Sequence, residues 1–67
     1  MDKILAYKIF CLENYKNAHN LSGSEALNIF NNYKVFDYIA SCYEVLHSTG
    51  SRYIVEDIDQ FIAARKN

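Results

Sequence analysis

The sequence contains no proline, and its only glycines are Gly23 and Gly50. Without the residues that punctuate hairpins and sharp turns, such a chain reads as helices joined by short corners. Its 67 residues make a single small helical domain, residues 1–67. A domain of this size buries only about 60% of the surface its unfolded chain exposes, so its core has little margin. Yet 51% of the residues are hydrophobic and 15% aromatic. That rules out general disorder and leaves more large side chains than so small a core accommodates. The surplus predicts a protein partner or a second copy of the chain over part of the surface.

Charge narrows the partner classes. The formal net charge is -1, and the cations Lys3, Lys8, Lys16, Lys34, Arg52, Arg65 and Lys66 are scattered along the sequence. Nothing pulls the chain as a whole toward nucleic acid or an anionic membrane. No apolar run approaches the roughly 18–20 residues of a membrane span, and the N-terminal stretch has no signal-peptide plan. Cys11 and Cys42 both lie among apolar residues, the pattern of buried thiols in a reducing compartment. These features predict a cytoplasmic protein.

Residues 35–50, VFDYIASCYEVLHSTG, read as the central helix. At roughly 100° per residue, Asp37, Ser41, Glu44 and Ser48 share one narrow polar face. The other half carries Val35, Tyr38, Ile39, Cys42, Tyr43, Val45 and Leu46. So wide an apolar face needs several neighbours to cover it. Gly50 supplies the left-handed stop, and Asp37 is the expected N-cap.

Before it come two helices. Asp2 caps the first, which runs to about Asn17 with Ile4, Leu5, Lys8, Cys11, Leu12 and Tyr15 as its inward stripe. Phe10 falls off that stripe toward Asn14 and Asn17. Ser22 and Glu25 have capping-box spacing and open the second helix, whose apolar side is Ala26, Leu27, Ile29, Phe30 and Tyr33. Asn32 is its expected left-handed end. After residue 50, Tyr53-Ile54-Val55 has β preference but no partner strand, so a short extended connection is expected. A last helix starts near Glu56, with Ile58, Phe61, Ile62 and Arg65 on one face. Its acidic residues open it and its basic residues close it, as the helix dipole favours.

The fold class that follows is all-α: a small four-helix orthogonal bundle with a central third helix and a short extended segment before the last. The expected core is Leu5, Leu12, Leu27, Phe30, Ile39, Cys42, Leu46, Ile58, Phe61 and Ile62.

Few residues point to chemistry. Cys11 and His19 are eight apart, Cys42 and His47 five apart, and neither spacing is that of a zinc site. A nucleophile arrangement of Cys42 and His47 with Glu44 or Asp57 puts residues five apart on different faces of one helix, and it buries the thiol where thiolate is disfavoured. No metal, cofactor or catalytic role is expected. The six tyrosines either line the core edge with their hydroxyls in water or form a recognition surface. Tyr7, Phe10 and Asn14, on the outer side of the first helix, are the candidate protein contacts. The short corner between the second and third helices also permits a helix-turn-helix, DNA-binding or autoregulatory reading. The acidic outer face of residues 37–44 opposes it, because a recognition helix presents basic and amide side chains to DNA.

Several segments together resemble a known bacterial family, domain of unknown function 3791. They are Ile9-Phe10-Cys11-Leu12-Glu13, His19-Asn20-Leu21-Ser22-Gly23 with Phe30, Asp37-Tyr38-Ile39, Tyr43-Glu44-Val45-Leu46-His47 and Tyr53-Ile54-Val55-Glu56-Asp57-Ile58. The resemblance implies a short helical protein encoded near ADP-ribosyltransferase-like proteins, and hence an accessory or antitoxin-like partner. It carries no catalytic residues over to this chain. The functional expectation is a non-enzymatic protein-interaction module.

Overall fold

The computed structural model describes residues 2–45 and 53–66, and within them every regular element is helical. Helix α1 spans Lys3–Ala18, α2 Gly23–Asn32, α3 Val35–Ser41 and α4 Ile54–Lys66. Helices α1 and α3 each pack against the other three. The protein is therefore an all-α bundle.

Local chemistry accounts for most of the helix ends. The Asp2 carboxylate accepts a 3.1 Å hydrogen bond from the Ile4 amide and opens α1. Asn20, left-handed at φ 55, closes it. The Asn20 amide donates to the Asn17 carbonyl at 3.3 Å and the Leu21 amide to the Lys16 carbonyl at 2.9 Å, the Schellman pattern with asparagine where glycine is commonest. Half-buried Leu21 then leads into α2. Here the capping box forms as its spacing predicts: Ser22 Oγ accepts from the Glu25 amide at 3.1 Å, and Glu25 Oε1 accepts from the Ser22 amide at 2.9 Å.

The Glu25 carboxyl is held below its ordinary value of 4.5 by the backbone hydrogen bond to Ser22, then by the side-chain one. A depressed carboxyl stabilises the fold above its unfolded value, and that contribution disappears as pH falls through the lowered one. Ser22→Ala is expected to cost about 1 kcal/mol, or roughly 4–8 °C in Tm. Thermal melts at pH 7 read this directly. In Glu25→Gln the stability lost between pH 5 and 3 should be smaller than in the parent chain.

Three boundaries differ from expectation. The left-handed residue after α2 is Lys34, φ 56, and not Asn32. Tyr33 packs against the core, so the helical backbone continues until that ring is placed and the reversal falls on the exposed residue after it. Helix α3 then begins at Val35, so Asp37 lies in its first turn and does not cap it. Val35 is fully buried, and Phe36 packs edge-on against Phe30 at 5.2 Å; both side chains need the helix to start early. Helix α4 likewise begins at Ile54, two residues before the expected start, with Tyr53 in a turn. Ile54, Ile58 and Ile62 recur every four residues, all at most 5% exposed. Burial along one helical face outweighs the weak β preference of Ile54 and Val55.

The expected continuous helix over 35–50 is interrupted. It pauses at Cys42, φ -110 and ψ 19, and residues 43–45 turn helical again. After the pause Tyr43 meets Tyr7 edge-on at 5.3 Å. The expected core residue Leu46 and the expected stop Gly50 lie outside the described residues, as does His47.

The core takes residues from every helix: Cys11 and Tyr15, Ala26 and Phe30, Val35 and Ile39, and Ile54, Ile58 and Ile62. Phe30, Ile39, Ile58 and Ile62 are where the sequence places them. Leu12, Cys42 and Phe61 are half-buried and packed against this core. Leu5 and Leu27 are not in it; they are 49% and 42% exposed. On α1 the line that faces inward is Tyr7, Cys11 and Tyr15, spaced by four, which turns Leu5 toward the flank. On α2, Ala26 and Phe30 set the inward line, and Leu27 sits about 100° round from Ala26.

Candidate protein-contact surface

The two displaced leucines meet. Leu5, Lys8, Ile9 and Leu12 of α1, Leu27 of α2 and Phe36 of α3 line one open hollow of about 370 Å³. Ile9 is 49% exposed, matching Leu5. Three half-exposed aliphatic side chains from two helices thus converge, with half-buried Leu12 and Phe36 beneath them. Only Lys8 adds a charge to the wall, and its stem covers apolar surface. Polar side chains able to activate a substrate do not converge here. The arrangement suits removal of apolar area from water by a second surface.

The expected contact residues sit round the other side of α1. Tyr7 faces inward: its ring packs edge-on with Tyr43 and stacks with Phe10 at 5.9 Å, and its hydroxyl neighbours the thiol of Cys11 one turn later. Phe10 is 43% exposed and borders a shallow groove with Lys3, Ala6, Tyr7 and Tyr43. Asn14 is half-buried and donates from Nδ2 to the Phe10 carbonyl at 2.8 Å. Of the three, Phe10 keeps a substantial face toward solvent.

The Tyr7–Cys11 pair has a measurable signature. Burial, more than the neighbouring thiol, pushes the Tyr7 hydroxyl up to about 12. Burial likewise pushes the Cys11 thiol up to about 11, against a smaller opposing effect of the neighbouring Tyr7 hydroxyl. Raising the thiol from 9.0 to about 11 lowers its thiolate fraction about a hundredfold at neutral pH. With a thiol reagent at pH 8, Cys42, half-buried, should react promptly and Cys11 only as the protein unfolds. In Cys42→Ala the prompt phase should vanish; a prompt phase that persists would place Cys11 in solvent. Because a raised acid favours the folded state below its unfolded value, this contribution is lost as pH climbs from about 9 to 11.

A separate tie joins α1 to α4. His19 Nε2 lies 2.9 Å from Asp59 Oδ1 and 3.2 Å from Oδ2, and the imidazole packs on Tyr15 with centroids 4.4 Å apart. Both side chains are partly exposed, so the pair positions the two helices more than it stabilises them. Among the described residues, no three His, Cys, Asp or Glu side chains gather into a metal-binding group. None of their helices is long and apolar enough to cross a membrane.

The family model described as "Protein of unknown function (DUF3791)" matches residues 6–65, nearly the whole chain. The protein belongs to the DUF3791 family. No curated protein and no solved structure matches it. The matched span of this DUF3791 protein includes five of the six residues around the apolar hollow, Lys8, Ile9 and Leu12 on α1, Leu27 on α2 and Phe36 on α3; Leu5 lies just before it.

Sequence reasoning missed the hollow because it assigned Leu5 and Leu27 to the core and left Ile9 without a role. A signal was present: Ile4, Leu5, Tyr7, Ile9, Cys11, Leu12 and Tyr15 together occupy more than half the circumference of α1. A helix on the outside of a four-helix bundle cannot bury them all.

Proposed function

We propose that this protein is a non-enzymatic interaction module, acting in the cytoplasm as an antitoxin-like or accessory partner of a genetically linked enzyme. The observation that carries this reading is the hollow bounded by Leu5, Ile9 and Leu27, each more than two-fifths exposed. A chain with so little core to spare leaves three aliphatic side chains together in water, although burying each would stabilise it. A partner that covers them gains apolar burial on the order of 1 kcal/mol per side chain, enough to serve as the centre of an interface. Asp37, exposed on the outer face of α3, opposes DNA phosphates, which leaves protein as the preferred partner class.

The test is recovery of a partner from the native host with the tagged chain, together with its mass in solution. Capture of one stoichiometric protein is expected. A chain that stays monomeric and recovers none would overturn the reading.

A further inference from the structure

A second surface, formed where the α2–α3 corner meets the last turn of α4, bears on the chemistry of that partner. Lys34, Asp37, Tyr38, Ser41, Phe61 and Arg65 line a groove of about 240 Å³. Phe61 stacks on Tyr38 with centroids 4.1 Å apart and planes 16° apart. The guanidinium of Arg65 lies over the Phe61 ring at 5.0 Å, and the ammonium of Lys66 lies over Tyr33 at 6.0 Å. The corner pair Tyr33-Lys34 and the terminal pair Arg65-Lys66 are thereby brought together although they are far apart in sequence.

Three features give this cluster a direction. Among the described residues Lys34, Arg65 and Lys66 form no ion pair, whereas Lys16 pairs with Glu13 and His19 with Asp59. In a chain of net charge -1, three of the five described lysines and arginines without an ion pair are thus gathered at one place, the other two being Lys3 and Lys8 on α1. Lys34 also holds a left-handed backbone at φ 56, which costs a lysine about 1 kcal/mol and costs glycine or asparagine less. Asn20 takes the same conformation at the other corner; here the strained position is given to a cation. Finally, the Arg65 guanidinium lies over the Phe61 ring, and the N–H edges of a guanidinium fit a carboxylate in a two-pronged contact.

Nucleic acid fits less well. The aromatic rings are engaged with one another and with the cations, so they are not free platforms for bases. Asp37 on the same wall repels phosphates and carboxylates alike, and Lys34, Arg65 and Lys66 outnumber it.

We infer that this groove receives an acidic segment of the protein partner, with glutamate or aspartate carboxylates seated on Lys34, Arg65 and Lys66. The inference rests on the interaction-module reading and adds the partner's chemistry to it. Its test is a titration of the isotope-labelled full chain, followed by amide resonances, with hexaglutamate at low salt and with a twelve-residue oligothymidylate in parallel. Saturating shifts at Tyr33, Lys34, Ser41, Arg65 and Lys66 are expected with hexaglutamate. Lys34→Ala/Arg65→Ala should weaken binding about tenfold, and Lys16→Ala less than twofold. The inference is overturned if hexaglutamate moves none of these resonances, if the Lys34/Arg65 variant binds as well as the parent, or if oligothymidylate binds more tightly. It is also overturned if the same resonances move with protein concentration alone, which would assign the groove to a second copy. None of these outcomes touches the apolar hollow, which is tested through Ile9 and Leu27.

Discussion

Phe30→Ala should leave the chain largely unfolded near physiological temperature. Phe30 has no exposed surface; Tyr15 lies 5.3 Å from it on one helix and Phe36 5.2 Å on another, so the ring joins α1, α2 and α3. Truncating a buried phenylalanine costs about 3–5 kcal/mol, counting both the lost transfer free energy and the cavity left behind. A domain of this length has about 3–10 kcal/mol in total, so the loss takes most of the stability or all of it. Circular dichroism melts should show Tm lowered by at least about 12 °C, or no cooperative transition. Phe30→Leu keeps most of the volume and should lose far less. Phe10→Ala, at a ring 43% exposed, should stay within about 1 kcal/mol of the parent. A Phe30→Ala protein that melts within about 5 °C of the parent would show that the core closes without this ring.

Ile9→Asp combined with Leu27→Asp has the opposite profile: binding is lost and the fold is kept. Both side chains are nearly half exposed and neither belongs to the buried core, so replacement should change stability by no more than about 0.5 kcal/mol each. In a complex the two carboxylates would be buried in an apolar contact without partners, which is costly. Affinity for the captured partner should fall at least about a hundredfold, equivalent to about 2.7 kcal/mol. Calorimetry of the purified pair measures this, and a melt of the same variant shows that the fold is intact. Unchanged affinity would remove the hollow from the interface. If instead the parent chain forms a dimer that the variant abolishes, the occupant is a second copy of the protein.

The two outcomes separate what the residues of one helix say from what its neighbours decide. The Asp2 cap and the Ser22–Glu25 capping box are readable in sequence because each depends on groups within a few residues of one another. The inward positions of Ile58 and Ile62 are readable for a related reason: on α4 the apolar line is narrow enough to have one orientation. On α1 it is not. Seven apolar side chains wrap the helix, and the sequence offers no ground for choosing Tyr7, Cys11 and Tyr15 over Leu5, Cys11 and Leu12 as the buried line.

That choice is made by packing. Tyr43, placed by the pause at Cys42, takes the edge of Tyr7, while Phe30 and His19 take the ring of Tyr15. With α1 held by these contacts, Leu5 and Ile9 turn outward beside Leu27. The juxtaposition of Lys34 with Arg65 is of the same kind, since no local signal relates a corner to a helix end thirty-one residues later. By itself the sequence determined an all-α domain, the starts of its first two helices and much of its core, because hydrogen-bond caps and helical periodicity act over one or two turns. Which surplus apolar and charged side chains meet on the surface was decided only by tertiary structure, because burial is shared among helices and a helix's rotation is set by what it packs against.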